Sequence, residues 1–356
     1  MSKRLRTGFT TGTCAAAAAK AASMILAGIS APKDVDVRLP DGQTVKLCVA
    51  ESGREGATAW ASVRKDAGDD PDVTDGVLVK AVVSWIEGDE VALQAGEGVG
   101  IVTRPGLSVP PGEPAINPVP QRMIREAVRD VTRRGVVVTI SIPNGEELAK
   151  KTFNPRLGIV GGLSILGTSG LVRPFSVPAL RDALKCALSV AKASAIDAPV
   201  LVPGRIGERA ARRHFRLAPE QVVEVSNEWG FMLDEAAQYD FRNLLVLGHP
   251  GKLAKLAASD WDTHSSRSKS AVPMVTQLAE ELIGGGVASA TTVEGLFASL
   301  PSVESRRVGD ALAGLVVKAV SKRVRRRFPT SVFLVNMKGE ALGVHGDLSP
   351  WARPSP

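Results

Sequence analysis

The stretch that decides the fold lies near the start of the chain and reads Gly8-Phe9-Thr10-Thr11-Gly12-Thr13-Cys14-Ala15-Ala16-Ala17-Ala18-Ala19-Lys20-Ala21-Ala22. Its alanine half predicts a helix over residues 13–28, because alanine has the highest intrinsic helix propensity. The glycine- and hydroxyl-rich half predicts non-helical backbone. There Thr13 would cap the helix, and Gly8 and Gly12 would let backbone N–H groups approach a small or anionic group. On local grounds alone, a capped helix packed by its alanine face on a sheet is the simpler interpretation.

The composition is that of a globular protein. The chain has 356 residues, of which 44% are hydrophobic and 23% charged, enough for two domains with separate cores. No run of about 18 apolar residues occurs, so we expect neither a membrane span nor a membrane partner. The basic segment 1–6 lacks the apolar core and cleavage site of a signal peptide, and we therefore expect a cytoplasmic protein.

The charge balance suits an anionic partner. Lys plus Arg exceed Asp plus Glu by 44 to 37, a net charge of +7, which fits nucleic acid, anionic lipid or a small polycarboxylate. Only 4% of residues are aromatic, which disfavours stacking on nucleic-acid bases, so we expect no nucleic-acid partner. Cys14, Cys48 and Cys186 match neither a disulfide framework nor a metal knuckle and are expected to be reduced thiols. The sequence leaves a homo-oligomer open.

Two patterns of elements follow one another along the chain. Residues 1–150 alternate apolar and polar positions in short runs and predict an α+β domain with a mostly antiparallel sheet, its strands near 35–39, 44–49, 58–63 and 77–86. Residues 151–356 alternate short apolar strands with helices and predict a Rossmann-like α/β domain with terminal helices and a terminal hairpin. Its first strands are predicted at 157–160, 200–202, 222–225 and 244–247.

A glycine-rich loop follows the first of these predicted strands. It contains glycines, a threonine and a serine, namely Gly161, Gly162, Gly167, Thr168, Ser169 and Gly170. Ligands of open α/β sheets bind outside the carboxyl ends of strands, where glycines let the backbone approach them. The spacing is neither Gly-x-Gly-x-x-Gly nor that of a phosphate loop, so a cofactor-binding loop and a tight structural turn both remain open.

His249 and Lys252 follow the strand predicted at 244–247 and are expected in the same crevice as this loop. With Asp260, Asp262 and His264, His249 imitates a metal-ligand set, but the spacing is irregular and we expect no metal site. The acidic segment 65–76 lacks the spacing and closing glutamate of a calcium loop. Turn formation by its aspartates, orientation of a nearby lysine, or attraction of a cationic ligand would each explain it.

Thr10, Thr11 and Thr13 are candidates for the catalytic site. A nucleophilic threonine needs an adjacent base such as a free N-terminal amine, and these threonines are internal. We therefore expect them to act as hydrogen-bond partners of a ligand.

Five segments follow one another along the chain: the segment quoted above and residues 65–76, 103–120, 154–170 and 248–258. In this order they resemble the sequence blocks of the CbiD family, the cobalt-precorrin-5B C1-methyltransferases of cobalamin biosynthesis. The resemblance implies that S-adenosylmethionine methylates C-1 of cobalt-precorrin-5B to give cobalt-precorrin-6A on the anaerobic route. It implies that the methyl donor binds near the glycine-rich loop, and that cobalt arrives inside the tetrapyrrole substrate.

Cations within or beside these segments are candidate ligands for the substrate's acetate and propionate groups. They are Arg104, Arg156, Arg173 and Lys252, with His249 beside them. The chain departs from the family at Val172-Arg173-Pro174-Phe175-Ser176, where members commonly carry Val-Glu-Pro-Met-Ser. Two alternatives remain, a nicotinamide-dependent dehydrogenase and a non-catalytic corrinoid or nucleotide carrier. The incomplete glycine fingerprint counts against the dehydrogenase.

Overall fold

The chain forms two compact units. The computed structural model describes residues 5–352, so most of the segment examined for a signal peptide, residues 1–4, lies outside it. The units are Met1–Pro178 and Ala179–Pro356, and residues 151–178, expected in the second domain, belong to the first unit. No helix within residues 5–352 combines the length and the apolar character needed to cross a bilayer.

The first unit contains most of the strands. In chain order its elements are β1 Gly8–Phe9, α1 Thr11–Leu26, β2 Asp34–Arg38, β3 Thr44–Cys48, β4 Glu51–Glu55, β5 Thr58–Arg64, β6 Leu78–Trp85, β7 Val91–Ala95, β8 Ile101–Val102, α2 Pro118–Arg129, β9 Val136–Ser141, α3 Gly145–Ala149, α4 Asn154–Leu157, β10 Ile159–Val160 and β11 Leu171–Val172.

The main sheet of this unit has the strand order β4-β5-β6-β9-β7, and only the β7–β9 pair is parallel. The predicted α+β architecture with a mostly antiparallel sheet is thereby confirmed. Helix α1 packs on β5, β6 and α2. Its alanines from Ala15 to Ala19 are all fully buried, because side chains this small let the helix backbone approach both neighbours closely.

The predicted strand at 157–160 is wrong. Helix α4 ends at Leu157, and Gly158 follows in the left-handed conformation at φ +74°. Only Ile159–Val160 is extended, and it pairs antiparallel with β8 inside the first unit. The glycine-rich loop therefore does not lie at the carboxyl end of a parallel strand.

The second unit is a mixed sheet with helices. Its elements are α5 Val177–Ala193, which begins just before the division, β12 Val200–Val202, α6 Arg205–His214, β13 Val222–Glu224, α7 Trp229–Ala236, β14 Leu244–Gly248, α8 Pro250–Ala257, α9 Val272–Ile283, α10 Val293–Ser299, α11 Ser302–Arg323, β15 Thr330–Val335 and β16 Ala341–His345. The strands are ordered β13-β12-β14-β15-β16, parallel except for β16. The predicted strands from 200 onward and the terminal hairpin are confirmed.

Helices cover both faces of this sheet. Leu245 and Leu247 of β14 pack with Ala210 and Ala211 of α6. The β12–α6–β13 and β13–α7–β14 connections run in opposite directions across the sheet. Because such crossovers are right-handed, α6 and α7 lie on opposite faces. Helix α11 contacts α7 and α8 and therefore belongs to the α7 side.

Candidate functional site

Four of the five sequence segments meet within the first unit. Phe9 N donates to Asp66 O at 2.7 Å, which joins the segment that begins at Gly8 to the acidic segment. Thr13 Oγ1 donates to Gly170 O at 2.6 Å, and Thr103 Oγ1 donates to Gly158 O at 2.6 Å. We call the exposed surface of residues 103–104 and 156–175 the loop face. The segments that begin at Gly8 and Lys65 contact these residues and support them.

The helix cap differs from the predicted one. Helix α1 begins at Thr11, and Thr10 is its cap, with Thr10 Oγ1 accepting a hydrogen bond from Thr13 N at 3.2 Å. Thr13 was expected to be the cap and lies inside the helix instead. Gly12 is also helical, and a glycine is needed there because Pro120 packs against it: a Cβ on Gly12 would lie 2.7 Å from Pro120 Cγ.

The three threonine hydroxyls hold the glycine-rich loop. Thr11 Oγ1 accepts from Leu166 N at 3.0 Å and lies 3.3 Å from Leu166 O. Thr13 Oγ1 bonds Gly170 O, and Thr10 Oγ1 lies 3.1 Å from Thr13 Oγ1. All three side chains are buried. They position the loop, and their direct contact with a ligand stays a prediction.

The amino terminus of α1 faces protein backbone. Gly12 N donates to Leu166 O at 3.0 Å, so a carbonyl oxygen occupies the place predicted for a small anion. Gly8 approaches the acidic segment, since a Cβ there would lie 2.2 Å from the carbonyl carbon of Ala67. The expectation that these glycines admit a ligand is wrong, because they admit neighbouring segments of the chain.

Two glycines shape the loop against the helix. Gly167 has φ +134°, and a Cβ there would lie 2.3 Å from Thr10 Oγ1. Gly170 has φ +79°, and a Cβ there would lie 3.1 Å from Thr13 Oγ1. On the opposite side of the loop Leu166, Thr168 and Ser169 are exposed. The loop is therefore fixed on one side and open on the other.

Sequence reasoning missed Asn154. Its side chain is buried, Nδ2 donates to Gly162 O at 3.0 Å, and Oδ1 accepts from Ser164 Oγ at 3.3 Å. It thus fixes the start of the loop from within. A buried asparagine at the head of a glycine-rich segment could have been found from the Asn-Pro pair that opens that segment.

The loop face carries the predicted arginines. Arg104 Nη1 donates to Arg156 O at 3.3 Å, and a Cβ on Gly158 would lie 2.4 Å from Arg104 Cδ. The Arg156 guanidinium lies 5.9 Å from the Phe153 ring centroid. Arg173 is exposed just after β11. The structure therefore brings Arg104 and Arg156 together, and the prediction that Arg173 joins them in one site stays a prediction.

Large apolar side chains are exposed on this face. Val160 is 58% exposed, Leu166 50% and Phe175 69%. Phe175 N donates to Asp70 Oδ1 at 2.8 Å, which fixes the end of the face to the acidic segment. Exposed apolar groups next to cations indicate a binding surface rather than a packed core.

The acidic segment is a structural support. Lys65 Nζ lies 2.9 Å from Asp72 Oδ2, with the lysine side chain 1% exposed. Asp75 Oδ1 accepts from Ala67 N at 2.8 Å. Burial raises the pKa of Asp72, but hydrogen bonds from Lys65 and Thr74 outweigh it and the net pKa is lowered. The interpretation that these aspartates form turns and orient a lysine is confirmed.

His249 and Lys252 lie in the second unit, at the carboxyl end of β14. His249 Nδ1 accepts from Gly251 N at 3.0 Å as the cap of α8, and Nε2 lies 2.8 Å from Glu294 Oε2. Lys252 Nζ donates to Asn227 Oδ1 at 2.9 Å. Burial lowers the pKa of Lys252, and the nearby Lys255 lowers it further.

The prediction placed these two residues and the glycine-rich loop at strand ends of one sheet, and this premise is wrong because the loop does not follow a strand of that sheet. Within residues 5–352, no three or more His, Cys, Asp and Glu side chains are grouped so as to hold a metal. Asp262, part of the irregular set considered above, pairs with Arg267 instead.

The first unit is thus an α+β domain whose loop segments carry both arginines and exposed apolar side chains, a combination that suits a ligand with apolar and anionic groups. A family model described as CbiD matches residues 1–174. The cobalt-precorrin-5B C(1)-methyltransferase of Syntrophotalea carbinolica is 55% identical over 348 residues, covering 98% of this chain and 99% of the relative. That of Geobacillus kaustophilus is 40% identical over 352 residues, covering 96% and 95%.

The chain belongs to the CbiD family, and the resemblance drawn from its sequence segments is confirmed. A crystal structure titled as the cobalamin biosynthesis protein CbiD from Archaeoglobus fulgidus is 33% identical in sequence. It covers 74% of this chain and 83% of its own, with a TM-score of 0.39. The family assignment rests on the sequence relatives.

Proposed function

We propose that this protein is a methyltransferase of cobalamin biosynthesis that transfers a methyl group from S-adenosylmethionine to C-1 of cobalt-precorrin-5B, giving cobalt-precorrin-6A. Relatives that match over nearly the whole chain are named cobalt-precorrin-5B C(1)-methyltransferases, which supports the reaction type and the substrate. Cobalt enters as part of the substrate. The protein works in the cytoplasm, in keeping with three cysteines that are free thiols.

The observation that carries the proposal is the chemistry of the loop face. A tetrapyrrole with acetate and propionate side chains presents a broad apolar ring edged by carboxylates. The loop face contains both kinds of group, since Val160, Leu166 and Phe175 are exposed and the same segments carry Arg104 and Arg173. Arginine suits this role because its guanidinium binds carboxylates through two parallel hydrogen bonds.

The glycine-rich loop contributes to this surface through its exposed residues. Its inner side is engaged by the buried threonines and Asn154, whose hydrogen bonds to Gly170, Leu166 and Gly162 fix the loop backbone. A preorganised loop loses little conformational entropy when the substrate binds. The prediction that the loop binds the methyl donor was based on its place at the carboxyl end of a parallel strand. The strand before the loop, β10, is antiparallel to β8, so this argument no longer supports the prediction.

The reaction is a displacement at the methyl carbon. The C-1 carbon attacks the methyl group, the sulfur–methyl bond breaks, and its electron pair stays on sulfur to give S-adenosylhomocysteine. The protein mainly aligns the two reactants and excludes water. Cations that bind the carboxylates of the substrate fix its ring and therefore the position of C-1.

Transfer of a labelled methyl group from S-adenosylmethionine to cobalt-precorrin-5B tests the proposal, with the label expected at C-1. Arg173→Ala should raise the KM for the tetrapyrrole about tenfold, since it removes one charge-assisted contact. The matched control is Arg122→Ala, an arginine of α2 whose side chain is 58% exposed. Absence of label in the product with authentic substrate would refute the proposed activity. Binding of NAD(P)H instead of the methyl donor would indicate a dehydrogenase.

A further inference from the structure

The sheet of the second unit has a topological switch point between β12 and β14. From β12 the chain crosses to its neighbour β13 on one side, and from β14 it crosses to its neighbour β15 on the other side. The loops that leave β12 and β14 therefore diverge to opposite faces and open a crevice at the carboxyl ends of these strands. Open α/β sheets bind their ligands in this crevice.

Two glycines border the crevice where α6 begins. Gly204, directly after β12, has φ +153° and caps α6. A Cβ on Gly207 would lie 3.0 Å from Val202 Cβ and 3.2 Å from Leu247 O, so this glycine lets α6 pack closely on the sheet. The pair has the spacing of the last two glycines of the dinucleotide fingerprint, and Val202 stands where the first would be.

Glu224 lies across the crevice from Gly204. It is the last residue of β13, and a Cβ on Gly204 would lie 3.7 Å from Glu224 Oε1. In nucleotide-binding α/β folds, an acidic residue about 20 residues after the glycines bonds the ribose hydroxyls. Glu224 has this spacing from Gly204, and the fold places it at the matching strand end.

A cation lies on the same edge of the sheet. Lys252 lies in α8, which begins just after the carboxyl end of β14, and its Nζ donates at 2.9 Å to Oδ1 of Asn227, three residues after Glu224. A partly desolvated ammonium pairs strongly with an incoming carboxylate. The edge therefore offers a carboxylate for ribose hydroxyls and a cation for an amino-acid carboxylate.

We propose that this crevice binds the adenosyl end of S-adenosylmethionine. Glu224 accepts the hydrogen bonds of the ribose hydroxyls, Gly204 lets the nucleoside approach the backbone, and Lys252 pairs with the carboxylate of the methionyl part. The inference rests on the proposed function for the identity of the ligand. The residues that recognise the nucleoside follow from the sheet alone.

Calorimetry with S-adenosylhomocysteine tests the site without turnover. Glu224→Gln should weaken binding about 10- to 100-fold, as expected for losing charge-assisted hydrogen bonds. The 2′-deoxy analogue should bind wild-type protein less tightly than S-adenosylhomocysteine, whereas the Glu224→Gln variant should bind both about equally. Lys252→Met should weaken the binding of S-adenosylhomocysteine but leave the binding of adenosine, which has no carboxylate, unchanged. Asp240→Asn, an exposed carboxylate ahead of β14 at the amino edge, is the matched control and should bind as wild type does.

The outcomes separate this inference from the proposed function. If folded Glu224→Gln protein, checked by thermal melting, binds S-adenosylhomocysteine within twofold of wild type, the crevice assignment is overturned even if methyl transfer occurs. If binding depends on Glu224 but no methyl reaches cobalt-precorrin-5B, the site stands and the proposed reaction fails. Failure of wild-type protein to bind S-adenosylhomocysteine would also overturn the site.

Discussion

Thr13 Oγ1 donates a 2.6 Å hydrogen bond to the carbonyl oxygen of Gly170, a residue 157 positions further along the chain. The threonine side chain is fully buried, so this bond is shielded from water. It joins helix α1 to the glycine-rich loop, so the inner side of the loop packs in the interior of the first unit.

Thr13→Val should lower the free energy of unfolding by about 1 kcal/mol, because it removes one buried hydrogen bond to Gly170 O, which keeps its second bond from Thr10 N. Chemical denaturation measures the change. Thr13→Ser keeps the hydroxyl and should lower the free energy of unfolding by less. The control Thr44→Val, on the exposed face of β3, should stay within about 0.5 kcal/mol of wild type. Equal midpoints for Thr13→Val and wild type would contradict the structural role given to this hydroxyl.

Gly167→Ala should destabilise the first unit more than Gly161→Ala. Both glycines have positive φ, but a Cβ on Gly167 would lie 2.3 Å from Thr10 Oγ1, whereas nothing lies within 4 Å of one on Gly161. Gly161→Ala should therefore lower the free energy of unfolding only through backbone strain, by about 1 kcal/mol. Gly167→Ala should in addition displace Thr10, the cap of α1, and lower it by about 1 kcal/mol more. Urea denaturation of the two variants compares them, and a larger loss for Gly161→Ala would refute this account of the loop.

Asp72→Asn should destabilise the protein by about 3 kcal/mol, because it leaves the ammonium of Lys65 buried and unpaired. Asp34→Asn, which breaks the exposed pair with Lys46, is the control and should change stability by less than about 1 kcal/mol.

The same pair predicts a pH dependence. The pKa of Asp72 is lower in the folded protein than in the unfolded chain. Its contribution to stability is therefore present above the unfolded pKa, about 4, and is lost as the pH falls through the lower folded pKa. Stability curves of wild type and Asp72→Asn should converge as the pH drops below about 4. Parallel curves down to pH 2 would show that Asp72 does not contribute in this way.

The three cysteines should react with a thiol reagent at very different rates. Cys14 is buried in α1, and burial raises the pKa of its thiol to about 12. Cys48 is exposed, and burial raises the pKa of Cys186. At pH 8 a disulfide reagent should label Cys48 quickly and reach Cys14 only after denaturation. The fast phase should vanish in Cys48→Ser, and rapid labelling of Cys14 in native protein would contradict its burial.

Much of the architecture could be predicted from the sequence because it follows from local patterns. Alanine propensity places α1 within two residues of its predicted bounds, and apolar alternation finds β5 and β6. The hairpin strand β4 was missed because Glu51–Glu55 has no apolar alternation. The strand predicted at 157–160 was wrong because Gly158 adopts the left-handed conformation and ends helix α4. Only the two apolar residues after it, Ile159 and Val160, are extended.

The site was less predictable, since it depends on which segments meet. The glycines of residues 161–170 predict a ligand-binding loop, yet three of the four, Gly162, Gly167 and Gly170, allow close contacts with the backbone of Gly98 and with Thr10 and Thr13. In the second unit the sequence did not indicate that Gly204 and Glu224 lie near each other. Their proximity follows from the strand order, which places β13 next to β12.

By itself the sequence determined the family, the helix at its start, the antiparallel character of the first sheet and the strand–helix alternation of the second unit. These depend on neighbours along the chain and on motifs that lie in order. Only the tertiary structure decided that Thr10 caps α1, that the glycine-rich loop belongs to the first unit and that the threonine hydroxyls hold it. Hydrogen bonds between residues far apart in the chain form where packing brings them together, and no local propensity encodes that meeting.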